Sequence, residues 1–409
     1  MPVWHDATTQ LRADGKLVEA GIALEQHPDR TRLFMQWKQM DWRVMVDPFN
    51  RFDLPLVPIT LILDEHGVIR LIQPLVDKLP EITTQIIAQD YPAPGSVPPT
   101  TSVIDLDSLK ANAEHYQTAL AWRSYAVGLT LWGDSSRLNQ AVNVIENVLQ
   151  REDDQNDGTT QFYAGVIYRK RLDSAYRQPD DFAQAIQQWV QALEINPNNY
   201  VRRRRLQQYG PRLDKPYPFY DWVGEARETI TARGETPIPL LVEPGGAEFA
   251  APTSAFAPAD SQAHPDPDGR IWQDENDYVG VEITTVPPAI VAGDSLRVHI
   301  TLRPNESIKA HWNNDAGDTL LWVDMPDGWQ VDSQRLTIPN PPEDVSLEPR
   351  HFEFEVNIPE SAPAGDHPLH TVALYYVCED VNGVCLYRSR KITVPITIRA
   401  GGQRLRDGG

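Results

Sequence analysis

Hydrophobic and polar positions change their rhythm twice along the chain. In the first ninety residues, helical and strand-length patterns alternate. Trp4, Ala7 and Leu11 recur at helical spacing and stop at Gly15. Leu17–Leu24 (LVEAGIAL) is an apolar run of strand length, and Pro28 opens a helix predicted to reach Met40. Arg43–Val46, Ile59–Leu63 and Val68–Ile72 read as strands, the last two joined by the turn Asp64–Gly67 (DEHG). This interleaving predicts an α/β domain over residues 1–90.

Pro, Gly and Ser then gather in YPAPGSVPPTT, so residues 91–105 read as a linker. Residues 106–232 carry the helical period, in two segments of similar shape. Trp122, Gly128, Ala141 and Val148 mark the first; Gly165, Tyr168, Ala185, Trp189, Ala192 and Pro197 mark the second. Small residues let paired helices approach, and Trp189 reads as core. Arg202–Arg205 (RRRR) is the basic cluster: a grip for an acidic partner or phosphates, or, more simply, a solvated face near a helix C-terminus. Residues 233–275 are rich in Pro, Ala and Gly without period, an extended linker whose Asp266–Gly269 (DPDG) reads as a turn.

Beyond Asp277 the period becomes two. Val279–Val286, Leu296–Arg303, Leu320–Met325, His351–Ile358, Thr371–Cys378 and Ile392–Arg399 are predicted strands, which makes residues 276–400 a β-sandwich. Phe352, Phe354 and Val356 would share one face, Glu353 and Glu355 the other. Asp327–Trp329 and Pro363–His367 (PAGDH) read as turns, and residues 401–409 as a flexible tail.

The net charge of −20 over 409 residues disfavours nucleic-acid binding, which relies on cations meeting phosphates. The longest apolar run, Pro55–Leu63, falls far short of the ~20 residues of a membrane span. No basic-then-apolar segment opens the chain, so no secretory signal is read. Histidines such as His367 and His370 read as loop residues, and neither a metal nor a cofactor is expected.

Chemistry concentrates on Cys378 and Cys385, which are the two cysteines of the chain. Two strands flank a loop holding Asn382-Gly383, a strong hairpin signal. Opposed residues there have Cα atoms ~4.5–5.5 Å apart, within the ~4.4–6.8 Å that a disulfide spans. Such a bond would contribute at most ~2.5 kcal/mol through loop entropy. Two buried thiols, a structural disulfide and a redox pair all fit. Glu379 and Asp380 should disfavour a thiolate at Cys378, whereas Arg388 and Arg390 should favour one at Cys385.

Three resemblances extend this reading. VDPFNRFDLPLVPIT followed by LILDEHGVIR resembles the thioredoxin-like fold in its redoxin/TlpA-type branch. That resemblance implies a cis proline at Pro58, within Val57-Pro58-Ile59-Thr60. The family's CxxC is missing from the first helix, which leaves a degenerate binding module or a start upstream of Met1. Residues 106–232 resemble tetratricopeptide repeats, which implies a groove for a peptide or protein. Residues 276–400 resemble the N-terminal periplasmic domain of the thiol:disulfide interchange protein DsbD, an immunoglobulin-like sandwich. The carrying residues are Tyr376, Cys378, Gly383, Cys385 and Lys391–Pro395 (KITVP), with HWNNDAG and MPDGW upstream. The C-x6-C spacing is one residue longer than in that family, and no aromatic cap loop is recognised.

The combined expectation is a multidomain chain: an α/β thioredoxin-like domain, an all-α helical-repeat domain and an all-β immunoglobulin-like sandwich. Cys378 and Cys385 would exchange disulfides with thiol proteins, supported by Tyr376, Arg388 and Pro58. The resemblance places it in the periplasm, with the cytoplasm as alternative. The competing expectation is a scaffold with a structural disulfide.

Overall fold

A computed structural model describes residues 2–54, 57, 59–74, 78–93, 95, 104–151, 158–210, 222–242, 259–379 and 384–400. Pro58, most of the 91–105 linker, the tip of the cysteine hairpin and the tail lie outside the described residues. The chain is mixed α/β and forms two compact units. The first comprises residues 1–176, 191–205 and 221–244; the second comprises 177–190, 206–220 and 245–409.

In the first unit, α1 (Pro2–Ala13), β1 (Ala20–Ala23), α2 (Pro28–Trp37) and β2 (Arg43–Val46) follow in order. β1 and β2 pair in parallel, Ala20 opposite Arg43. Parallel strands need a crossover, and α2 provides it. It starts at Pro28, whose missing N–H costs nothing in a first turn, and ends at Trp37, three residues short of the predicted limit. Its Leu33 and Trp37 pack against Val223, Ala226 and Ile230 of α10 (Trp222–Ala232). β3 (Leu61–Leu63) and β4 (Ile69–Ile72) form an antiparallel hairpin whose turn is tied by Asp64, followed by α3 (Leu79–Ile87).

α4 (Leu106–Tyr116), α5 (Ala119–Trp132), α6 (Leu138–Leu149) and α7 (Gly158–Leu172) then stack in sequence order. Asp105 and Thr118 cap α4 and α5 by accepting from exposed first-turn N–H groups. Gly128 lets α4 and α5 close up, because a Cβ there would sit 2.5 Å from Leu109 Cδ1.

The basic cluster needs correcting. Beyond α8 (Asp181–Ile195), on α9 (Tyr200–Gln207), Arg202 and Arg205 lie three apart on one face and are buried, so the run is not a solvated face. The Arg205 guanidinium donates to Gln26 Oε1 and to the carbonyls of Leu24 (3.2 Å) and Pro48 (3.1 Å), over the Phe162 ring.

His27 is buried in the same unit, 3.4 Å from Asp173. Burial, followed by the nearby cations Arg169 and Arg205, lowers its pKa from 6.5 to about 2. The unfolded chain therefore takes up this proton first, and stability drains as pH falls below ~6.5. Burial raises the Asp173 pKa, so that group gives stability back only once carboxylates begin to protonate. His27→Gln is expected to flatten the decline in urea midpoint between pH about 7.5 and about 5. An unchanged slope would show that His27 is not the group responsible.

In the second unit, two sheets enclose one core. The smaller is ordered β10–β13–β7–β5, with β5 at Val279–Val286, β7 at Ser295–Pro304, β10 at Gln330–Val331 and β13 at Arg350–Asn357. The larger runs β11–β9–β14–β15–β6, with β6 at Ala289–Val291, β9 at Thr319–Asp324, β11 at Arg335–Ile338, β14 at Gly365–Glu379 and β15 at Val384–Arg399. β8 (Ala310–Asn313) adds to β14 and carries β12 (Val345–Ser346). Val298, Ile300, Phe352 and Phe354 from one sheet meet Leu321, Ala373, Tyr375 and Val394 from the other. Alternation supplies this inner face, and its burial drives the pairing.

β14 and β15 are longer than the sequence predicts. PAGDH is only partly turn, because β14 starts at Gly365, and His367 and His370 are strand residues rather than loop residues. The proline that disguises the start of β14 faces another, Pro368 opposite Pro395. Two residues lacking N–H fit opposite one another at a non-hydrogen-bonded rung, where neither is asked to donate across the pair.

Candidate functional site

The two cysteines meet ten residues further along the same ladder. Cys378 pairs directly with Cys385 and they form a disulfide, with Cα atoms 3.9 Å apart. Rungs alternate in type, so ten residues from the proline rung this is again a non-hydrogen-bonded position, the closer of the two spacings. At such a rung each residue points its own N–H and C=O away from the partner strand. On the Cys378 side they meet β8, where His311 is opposite. On the Cys385 side no strand follows among the described residues, because β15 has only β14 as neighbour from Val384 to Arg388. That open edge ends at Ser389, whose N–H donates to Trp272 O and whose carbonyl accepts from Asp274 N, both 2.9 Å.

The two sulfur-bearing residues differ in access. Cys378 is buried and Cys385 is exposed. They lie on the sheet face opposite the main core: Tyr375 and Val377 point into that core, whereas the Cys378 parity includes Leu374 and Tyr376. Tyr376 stacks on Tyr387 one same-face rung away, with ring centroids 4.3 Å apart and planes at 18°. The loop after β8 lies over Tyr376, so that a Cβ on Gly317 would come 3.1 Å from its ring.

The expected supporting residues are placed unevenly. Tyr376 flanks the disulfide. Arg388 sits on the opposite parity to Cys385, donating to Tyr387 O (3.0 Å) and lying 5.7 Å from the Trp272 ring. Arg390 goes to Asp277 Oδ1 (2.7 Å) and the Asp274 carbonyl (3.1 Å). Neither contact directs a cation at Cys385. Pro58 falls outside the described residues. Arg388 also lines a cleft of about 540 Å3 with Ile271, Ser389, Lys391 and Trp272, the last 75% exposed.

The anchor beneath this edge was not read from the sequence. Asp274, buried, accepts from Tyr278 N (3.0 Å), Val279 N (3.0 Å) and Tyr375 Oη (2.8 Å). Burial first, and then the neighbouring Asp274 carboxylate, push the Tyr375 phenol well up, so it stays a donor.

A second cluster was also missed. His299 on β7 is paired with Glu353 on β13, and His351 lies two residues before Glu353 on the same face. The three ligand atoms lie within 4.8 Å of one another. Burial alone would raise the Glu353 pKa, but the two histidines outweigh it and hold it below the usual carboxylate range. Burial keeps His299 below the ordinary histidine value despite Glu353. The His-x-Glu spacing was visible; the register bringing His299 opposite was not.

No family model and no curated protein matches the chain. Solved structures share only short, remote likeness. A protein of unknown function from Porphyromonas gingivalis W83 is 16% identical over 30% of this chain and 47% of its own, with a TM-score of 0.19. Spo0M, a sporulation control protein from Bacillus subtilis, is 13% identical over 30% of this chain and 50% of its own, at 0.15. BcpA, the major pilin subunit of Bacillus cereus, is 12% identical over 29% and 40%, at 0.16. This chain therefore spans half or less of each, and these scores carry no argument about fold or function. Among the described residues, no helix is long and apolar enough to cross a membrane.

Proposed function

We propose that the protein exchanges disulfides with a thiol protein through Cys378 and Cys385. The observation that carries this reading is the asymmetry of the pair: an exposed Cys385, on a strand edge with no partner among the described residues, bonded to a buried Cys378. Attack on a disulfide is in line, so the accessible sulfur is the one a partner thiolate reaches. The partner's S⁻ bonds to Cys385 Sγ, the Cys378–Cys385 bond breaks, and Cys378 leaves as thiolate. A second partner thiolate then attacks its own sulfur in the mixed disulfide. The partner becomes oxidised, and both thiols of this pair are left reduced. The outward N–H and C=O of Cys385 would hold an extended segment of the partner as a short added strand, next to the sulfur that reacts.

The resemblance of residues 276–400 to the DsbD N-terminal domain supports the same chemistry. In this reading residues 1–90 are a thioredoxin-like module without CxxC, and residues 106–232 are helical repeats that recruit the protein partner. The competing reading is a scaffold in which a ladder this long keeps the disulfide purely structural.

Exposure also selects the trap. Cys378→Ser leaves the reachable Cys385 free, so it is expected to accumulate mixed disulfides, whereas Cys385→Ser is expected to trap several-fold less. In a dithiol redox buffer the folded wild-type pair should equilibrate above about −300 mV. A pair resistant to reduction until the chain unfolds would establish the scaffold reading instead.

A further inference from the structure

We propose that His299 Nδ1, His351 Nε2 and Glu353 Oε1 bind one divalent transition cation of the zinc class, at a site independent of the cysteines. The first argument is tautomeric. His299 Nε2 lies 2.8 Å from the Tyr209 carbonyl, which can only accept, so that nitrogen carries the proton. In the neutral ring Nδ1 is then a lone pair, buried with no hydrogen-bond partner and 3.3 Å from Glu353 Oε1, another lone-pair atom. His351 faces the same atom: its Nδ1 meets Thr301 Oγ1 at 2.8 Å, and its Nε2 lies 2.9 Å from Oε1, a hydrogen bond whose proton a bound metal would displace. In both rings the far nitrogen is held by an oxygen, as metal-ligating histidines usually are, and the near nitrogen converges on one carboxylate.

Distances agree. Ligands ~2.0–2.1 Å from a tetrahedral zinc stand about 3.3 Å from each other. The two contacts to Oε1, 3.3 and 2.9 Å, are close to that edge. Arg297 contacts Glu353 Oε2 through Nη1 at 3.3 Å and Glu355 Oε1 through Nη2 at 2.7 Å, which turns the other Glu353 oxygen, Oε1, to the histidines. Two imidazoles and a carboxylate suit zinc better than calcium or magnesium, which prefer all-oxygen shells. His351 is the exposed member, so a fourth position on its side is open to water.

The test uses the full oxidised chain, free of any affinity histidines. Zn²⁺ is titrated against a competing chelator, and Co²⁺ serves as a spectroscopic probe. Wild type is expected to take one Zn²⁺ per chain and to give the intense visible bands of four-coordinate Co²⁺. His351→Gln and Glu353→Gln should each weaken Zn²⁺ by roughly 100-fold, and Thr301→Ala by roughly 10-fold. Both His351 and Thr301 lie towards solvent, so these variants retain the fold even if a change at His299 does not. Cys378→Ser/Cys385→Ser should bind as wild type. Equal affinity across wild type and the three site variants, six-coordinate Co²⁺, or binding that follows the cysteines would each overturn the proposal and leave a hydrogen-bonded cluster only.

Discussion

Arg205→Ala is expected to destabilise the first unit by about 3–5 kcal/mol, because it strips the partner from buried acceptors without opening them to water. Gln26 Oε1 and the carbonyls of Leu24 and Pro48 converge on this guanidinium from segments at least 157 residues away in sequence. Deleting it also leaves a void beside Phe162. At the scale of this unit the loss corresponds to a melting shift of roughly 10 °C. Lysine should not rescue it, since an ammonium cannot reproduce the planar fork that reaches several acceptors at once. Arg203→Ala on the half-buried face serves as the control and should stay within ~0.5 kcal/mol. Guanidinium denaturation of the full chain separates the two, and a small loss at Arg205 would show that the acceptors find water.

Asp274→Ala is the second large effect, expected to cost the second unit about 3–5 kcal/mol. Its carboxylate accepts from Tyr278 N, Val279 N and Tyr375 Oη, and all three donors would be orphaned in a water-poor interior. Tyr375→Phe removes one donor together with its need, and should cost only about 1 kcal/mol. The double variant should fall well short of the sum, because both changes act on one network. Full additivity in chemical denaturation would contradict that shared network. Asp274 also seats the backbone that closes the β15 edge, so its loss is expected to raise the reactivity of Cys385 towards small thiols as well.

How far the sequence carried depended on the range of the physics involved. Alternation is local, so β5, β7 and β13 were legible to within a residue or so. The start of β14 was hidden by Pro368, which reads as a breaker alone and fits because Pro395 faces it, whereas β15 was predicted across Pro395 and lost its Val384–Lys391 half, where the polar run RSRK breaks the apolar alternation. Arg205 looked solvated because charge is judged from neighbours, whereas its acceptors come from another part of the chain. The Cys378–Cys385 pairing followed from a short hairpin. That Cys385 lies on an open edge did not, because the edge is defined by residues 272–274, more than a hundred positions upstream. Register also decides the histidine cluster: parity groups His351 with Glu353, but only the β7–β13 alignment adds His299.

The parallel bridge between Gln273 and Ser389 stops the side of β15 that is open among the described residues. From Val384 to Arg388 there is room for a handful of backbone contacts, and then the berth is full. An uncapped rim running the whole strand would let copies of this protein queue up into a growing fibre. A rim stopped this early runs out before such a seam could propagate.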